Sequence, residues 1–371
     1  MKKLSLLIIL PCLCLALAAC GAAEAADAPA ADLDRAAATA LAAVDQHIEE
    51  LRDNYCVYYD PDEYRLMIED YAGSFGGVGV SMTLSDDGYV TVYKVLDEGP
   101  AKDSPIKAGD RILAVDGESI VGQDTDQAAL RIRGDIGTPV TLTMQDAAGE
   151  RYELTLVRQE ITTHSVEGWR VESRPDTAYV QISGFTGQTV KEFGDAYNRL
   201  REEGPIHWLI LDLRSNTGGN FYSAISLAEF FVPATHTVVR EKTPEGDVAY
   251  TSTSGMLRDT KLIVLENEWT ASASEVLAGA LRDEAGAVLI GATSFGKGIT
   301  QVIEQTPSGG AWKYTHSRYY TPSGFDLHGV GLSPDIEVET GKDMTAEDYF
   351  SLDPERNPHL RSALDYIASE D

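Results

Sequence analysis

The sequence predicts a mixed α/β protein in which a largely parallel βα core carries an inserted module of short strands. Three observations predict it. From residue 161 onward, apolar runs short enough for strands alternate with stretches at helical spacing. Residues 74–160 instead hold short runs of alternating polarity around a single helical stretch. Before residue 74, the apolar residues recur at helical spacing.

The amino terminus stands apart from the fold. Lys2 and Lys3 precede an apolar run from Leu4 to Ala19, the layout of a secretory signal and short for a membrane-spanning helix. The run closes with Leu17-Ala18-Ala19-Cys20, which resembles a bacterial lipobox. That resemblance implies cleavage before Cys20, acylation of its sulfur and new amine, and an extracytoplasmic protein anchored to a membrane by lipid. Residues 1–20 are the signal and 21–73 a tether followed by helices. Ala, Asp and Pro dominate to about residue 32, the composition of a flexible tether. Leu41, Val44, Ile48 and Leu51 then mark one helix, and Leu66, Met67 and Tyr71, after Pro61, a second. Cys12 and Cys14 fall in the signal, so a cleaved and lipidated chain retains Cys56 alone and has no intrachain disulfide. Tyr55, Val57, Tyr58 and Tyr59 around Cys56 suggest a packing position.

In residues 74–160, Val78, Val80, Met82 and Leu84 alternate as on a half-buried strand, and Val90, Val92 and Val95 lie in a second extended run. Ala108 to Gly117 reads as turn, strand and tight turn, and Ala128 to Arg133 as a short helix. Val140, Leu142 and Met144 pair with Tyr152, Leu154 and Leu156 across the Asp146–Gly149 turn.

Residues 161–345 form the core. Strands are expected at 179–182, 208–213, 262–265 and 287–290, and helices at 190–200, from about 223 to 231, and between the last two strands, where Val276, Leu277, Ala280 and Leu281 keep helical spacing. Residues 346–371 close the chain with Leu360, Leu364 and Ile367 on one helical face. There are no repeats, no Walker loop and no paired-His metal motif, and no cofactor is called for. The 59 acidic and 30 basic residues leave a formal net charge of −29, which argues against nucleic acid or anionic lipid as a partner, since both need a basic surface.

The chemistry concentrates in residues 261–301. Ser272 stands where a strand turns into a helix, beside the positive end of the helix dipole and free backbone N–H groups. The N–H of Ala273 is placed to stabilise an oxyanion. A serine needs a base, and Lys297 in its Gly-Lys-Gly loop serves if buried and neutral, with Gln301 orienting the amine. The plainer reading is that Ser272 and Glu275 are an ordinary Ser-x-x-Glu capping box and Lys297 a solvated loop residue.

Thr270-Ala271-Ser272-Ala273-Ser274-Glu275, then Ser294-Phe295-Gly296-Lys297-Gly298 and Gln301, resemble the active-site region of the carboxyl-terminal processing peptidases, the tail-specific serine proteases. The resemblance implies Ser272 as nucleophile, Lys297 as general base and Gln301 as the group that positions it, on a ClpP/crotonase-like βα core. Asp212-Leu213-Arg214-x-Asn216-x-Gly218-Gly219 resembles a second signature of the family, in which a glycine N–H completes the oxyanion hole; that role falls on Gly218, with Gly219 as the alternative. Thr217 stands where the family commonly has proline. Residues 74–160 resemble a PDZ domain, on Ala108-Gly109-Asp110-Arg111-Ile112-Leu113-Ala114-Val115-Asp116-Gly117 and on a glycine-rich approach whose Gly77, Val78, Gly79 and Val80 match a carboxylate-binding loop. Arg133 matches a family arginine that links this module to the active site. The family uses N-terminal helices for dimerisation, which implies a homodimer as an alternative use of the first helix. The implied partners are protein or peptide substrates with exposed C-termini.

Three functions are weighed in order. The first is a serine endopeptidase with a Ser–Lys dyad. The second is a non-catalytic peptide-binding lipoprotein on the same scaffold, which needs a broken dyad. The third is a Ser-His-Asp hydrolase through His316 or His328, for which the Gly-x-Ser-x-Gly elbow is absent.

Overall fold

The computed structural model describes residues 55–85, 87–339 and 344–370. Cys20 and the Leu41–Leu51 stripe lie outside the described residues. The chain divides after Cys56, and residues 57–371 form the compact unit that carries the site.

Val57–Tyr59 forms a short strand (β1), and Pro61–Ala72 a helix (α1). Asp60 caps α1 through a reciprocal box with Glu63, Pro61 occupies its first turn, and Gly73 ends it in the left-handed conformation. Ser74–Gly77 forms a strand (β2), and the strand expected from Val78 to Leu84 starts at Val80, as Val80–Leu84 (β3). The break falls at Gly79, whose φ of +83° turns the chain where an added Cβ would sit 2.1 Å from the Glu98 carbonyl. Val90–Val95 (β4), Arg111–Val115 (β5), Glu118–Ser119 (β6), Thr125–Ile132 (α2), Pro139–Gln145 (β7) and Arg151–Val157 (β8) complete the module. The order β3-β4-β5-β7-β8 is antiparallel throughout, and Val140↔Leu156, Leu142↔Leu154 and Met144↔Tyr152 are in the expected register. Val90, Val92, Ile112, Val140, Leu142 and Met144 close a core of their own under α2. The buried Arg158 guanidinium donates to the carbonyls of Ile132 (2.7 Å), Pro139 (2.9 Å) and Arg131 (3.2 Å), a cation at the end of α2 where the dipole favours one.

Gln159–Thr162 (β9) pairs with β2 and returns the chain to the core. Val166–Val171 (β10), Arg174–Ile182 (β11), Thr189–Glu203 (α3), Trp208–Asp212 (β12) and Phe221–Ala228 (α4) come next. Thr237–Thr243 (β13) and Gly246–Thr251 (β14) make a hairpin that the sequence pattern did not announce. Then come Lys261–Glu266 (β15), Ala273–Ala285 (α5), Val288–Gly291 (β16), Ile299–Gln305 (β17), Ala311–Tyr320 (β18), Ile336–Glu337 (β19), a helical turn Ala346–Tyr349 (α6) and Pro358–Ser369 (α7). The central sheet runs β10-β11-β12-β15-β16-β19, parallel except for β10 against β11. Its inner strands are apolar on both faces because both faces are covered. Leu209, Leu211, Leu262 and Val264 pack with Phe193, Leu227, Leu277 and Leu281 of α3, α4 and α5, while Ile210, Ile263, Leu265 and Ile290 pack with Leu360, Ala363 and Ile367 of α7.

Of the strands after Lys297, only β19 joins this sheet. β17 and β18 pair with each other, and β18 also pairs with β1 and β13, in a second, antiparallel sheet. Its Tyr319, fully buried, reaches the amino end of α5.

Candidate active site

β15 ends at Glu266, and the loop 267–272 delivers Ser272 to the first position before α5. Ser272 has φ +59° and ψ −118°, a conformation that a side chain with a Cβ adopts only where the surroundings impose it. The surroundings here are Glu275 and Tyr319. The Glu275 carboxylate, wholly buried, accepts from the Ser272 N–H (2.9 Å), the Ser294 hydroxyl (2.5 Å), the Gly296 N–H (2.7 Å) and the Lys297 N–H (2.8 Å). Burial pushes its carboxyl up, against these four hydrogen bonds that favour the carboxylate. The Tyr319 hydroxyl lies 2.9 Å from the Ser272 carbonyl oxygen and 2.5 Å from that of Lys297. Ser272 and Lys297 therefore share two backbone partners, one carboxylate and one phenol. The capping box expected at Ser272 is present in the Glu275 half, and its carboxylate also fastens the lysine loop. Sequence spacing shows the first function of Glu275 and hides the second, because Ser294, Gly296 and Lys297 are remote along the chain.

The Lys297 side chain is half-buried, and its Nζ donates to Gln301 Oε1 at 3.0 Å. Burial, and then the nearby Lys313 ammonium, hold its pKa below the ordinary lysine value. Both act on the charged form, and both favour the free amine that a base requires.

Gly218 approaches Ser272 from β12. Its φ is +106°, and an added Cβ would lie 2.8 Å from Ser272 Cβ, 2.8 Å from the Ala271 carbonyl and 3.0 Å from the Ala273 nitrogen. The missing side chain leaves room for an atom beside the Ala273 N–H, at the amino end of α5. The Gly218 N–H itself, expected to face an oxyanion, instead donates to Asn216 Oδ1 at 2.9 Å. An asparagine two residues upstream captures it in a tight local turn. The neighbouring Gly219 is exposed, and Thr217 is exposed at the turn. Asp212 and Arg214 are a fully buried pair, with guanidinium-to-carboxylate distances of 2.8 Å and 2.8 Å. Arg214 also donates to Asn357 Oδ1 (3.3 Å), which caps α7. Thus the Asp-Leu-Arg signature ties the strand below the site to the carboxyl-terminal helix.

Of the other sequence candidates, Gly77, Val78 and Gly79 are buried and Val80 half-buried. The Val78 and Gly79 carbonyls accept from Ala101 N–H (2.8 Å) and Leu96 N–H (3.0 Å). Arg133 stands just after α2, not within it. Its guanidinium lies 3.8 Å above the Phe75 ring and 2.9 Å from Asp70 of α1. It thus meets β2, which leads into the glycine-rich segment, on one side and α1 on the other. His316 Nε2 faces Glu245 at 3.8 Å, and His328 packs where a Cβ on Gly298 would lie 2.9 Å from its own.

Comparison with known proteins decides the family. Residues 176–338 match the model described as "Peptidase family S41", and residues 67–145 that of the PDZ domain. A carboxy-terminal-processing protease of Bartonella bacilliformis is 36% identical over 293 residues, which is 77% of this chain and 67% of that protein. The chain belongs to peptidase family S41. A probable CtpA-like serine protease of Staphylococcus haemolyticus is 34% identical over 300 residues, 80% of this chain. The S41 chain spans 59% of that relative's length. Among solved structures, the photosystem II D1 C-terminal processing protease aligns with a TM-score of 0.51 at 27% identity, covering 86% of this chain and 84% of its own. The mixed α/β S41 fold with its PDZ domain is therefore shown by sequence family and by structure together.

Proposed function

We propose that this S41 protein is a serine endopeptidase that cleaves near the C-termini of extracytoplasmic proteins through a Ser272–Lys297 dyad. The observation that carries the reading is the Lys297 amine: half-buried, bonded to Gln301, its pKa held down, and on a loop fastened to the same Glu275 carboxylate as Ser272. A substrate C-terminus docks in the PDZ groove, where Gly77 to Val80 meet its carboxylate and a strand edge takes the peptide. The neutral Lys297 amine takes the Ser272 proton as Oγ adds to a peptide carbonyl. The Ala273 N–H holds the oxyanion in the space left by the side-chain-free Gly218. The ammonium then protonates the departing amine, and water, deprotonated by the same lysine, releases the acyl group. With Gly218 N–H bonded to Asn216, a second donor comes either from reorientation of that peptide or from Gly219.

Ser272→Ala is expected to abolish cleavage of an unfolded polypeptide and labelling by a serine-reactive phosphonate. Cleavage at the parent rate by that variant overturns the assignment, and a parent that takes no label is a peptide binder instead. The anchor belongs to the same proposal: acylated Cys20 holds the protein at a membrane, and the amino-terminal helices pair two copies. Cys20→Ala is expected in the soluble fraction of cells, and membrane retention of that variant argues against lipidation. Sedimentation of the full chain reads the dimer, and a monomer at all concentrations excludes it.

A further inference from the structure

Gln301 can orient Lys297 only if Gln301 is itself aimed. It sits at a fault in the sheet. β17 and β18 pair regularly from Gln305↔Ala311 to Gln301↔Thr315, and again at Thr300↔Ser317 and Ile299↔Arg318. Between Thr300 and Gln301 the register shifts, so that His316 is the extra residue on β18. A bulge of this kind disrupts the ladder locally, bends the strand and redirects side chains. It also removes the regular pairing that would otherwise hold those side chains in place.

Glu241 of β13, opposite Tyr319, reaches with its side chain to the Thr300–Ser317 rung beside that fault. Its Oε1 lies 2.7 Å from the Thr300 hydroxyl and also meets the Ser317 hydroxyl, and the two hydroxyls touch across the rung; with one proton each, they make two of these three hydrogen bonds at a time, at least one of them to the carboxylate. Its Oε2 accepts from the Tyr250 hydroxyl of β14 at 2.8 Å. The residue is 7% exposed, so these bonds form out of water, where a carboxylate left without them would be costly. Thr300 precedes Gln301 directly. Across the sheet, Glu241 is paired with Tyr319, whose hydroxyl bridges the Ser272 and Lys297 carbonyls.

We propose that Glu241 is a positioning residue for the dyad: by clamping the Thr300–Ser317 rung it fixes the register shift and so aims Gln301 at the Lys297 amine. The proposal rests on the Ser272–Lys297 reading. Glu241 touches no reacting atom. Its whole effect passes through Gln301, and that makes it separable from a carboxylate that merely stabilises the sheet.

The test is a double-mutant cycle in the full chain, read by steady-state cleavage of an unfolded polypeptide and by the phosphonate labelling rate of Ser272. Glu241→Gln is expected to lower kcat and the labelling rate together by about tenfold, as misplacement of a catalytic group does, with KM within about twofold of the parent. In a Gln301→Ala background, Glu241→Gln is expected to cost nothing further. Thr300→Val removes one hydroxyl from the same rung without touching the carboxylate. It is expected to slow kcat in the same direction and to be silent in the Gln301→Ala background. That variant decides the matter if Glu241→Gln does not fold. Parent-like kcat in a folded Glu241→Gln chain, or losses that add to that of Gln301→Ala, overturn the proposal while the dyad stands. A Ser272→Ala chain that still cleaves overturns the dyad, and the role of Glu241 with it.

Discussion

At the scale of single residues, the proposed dyad turns on how easily one amine gives up its proton. Lys297 owes its low pKa first to burial and second to Lys313. Lys313 stands on β18, opposite Ile303 and two residues from Thr315, which faces Gln301. A nearby positive charge disfavours the ammonium, so removing it raises the Lys297 pKa. With Lys297 as the base, kcat/KM is expected to rise with pH as the amine loses its proton, and the acid limb to report that pKa. Lys313→Met is therefore expected to move the acid limb to higher pH, with rates below the parent at neutral pH and converging on it in alkali. A limb that stays in place, or moves down, refutes the electrostatic role. Ser272 shows the complementary principle. Its backbone is held at positive φ by Glu275 and Tyr319, which is a local cost that only a densely bonded environment sustains.

At the scale of elements, α7 is the outer cover of the central sheet, and its first turn carries a titratable weak point. His359 is 1% exposed, its ring 5.3 Å from that of Tyr349. Burial, and then the Arg214 guanidinium nearby, bring its pKa down to about 4. A histidine in the unfolded chain binds its proton near pH 6.5. Between these values the unfolded state holds more protons, so stability falls as the pH drops from about 6.5 toward 4, by at most about 3 kcal/mol. His359→Phe keeps the ring contact and has no proton to bind. Thermal unfolding is expected to show a parent that loses stability across this window and a variant that loses less. Equal losses in the two proteins would place the acid sensitivity elsewhere. Just before that first turn, Asn357 caps α7 and meets Arg214, so loosening α7 reaches the loop after β12 that carries Gly218.

At the scale of the whole molecule, the PDZ module and the S41 core meet through α1 and the β2–β9 pair. Arg133 spans that junction, stacked on Phe75 of β2 and paired with Asp70 and Glu69 of α1. Its ion pairs are partly solvated, with Asp70 62% exposed, so they contribute only about 1 kcal/mol or less to stability. Arg133 directly follows α2, a helix of the same module that is proposed to take the peptide. Arg133→Met is thus expected to fold with little loss of stability and to lose its response to an added peptide that ends in a free carboxylate. The measurement is the cleavage rate of a reporter substrate with and without that peptide. An unchanged response means that the arginine is a surface brace and no more.

The amino-acid sequence by itself determined the elements whose cause is local. The Leu262–Leu265 run had to be a buried strand, Ser272 had to open a helix, and the Val140–Met144 and Tyr152–Leu156 alternation fixed which side chains face each other, because pleat and helix periods are written in neighbouring residues. The same locality explains the misses. Val78 kept the alternation but lies outside the strand, because Gly79 turns the chain ahead of Val80. The β13–β14 hairpin has few apolar residues to announce it, and the Gly218 N–H was captured by its neighbour Asn216. Tertiary structure alone decided that Lys297 and Gln301 open onto a second sheet, that one carboxylate fastens both the serine and the lysine backbones, and that Glu241 braces the fault beside Gln301. Those facts depend on burial and on hydrogen bonds between residues far apart along the chain, and no window of neighbouring residues contains both partners.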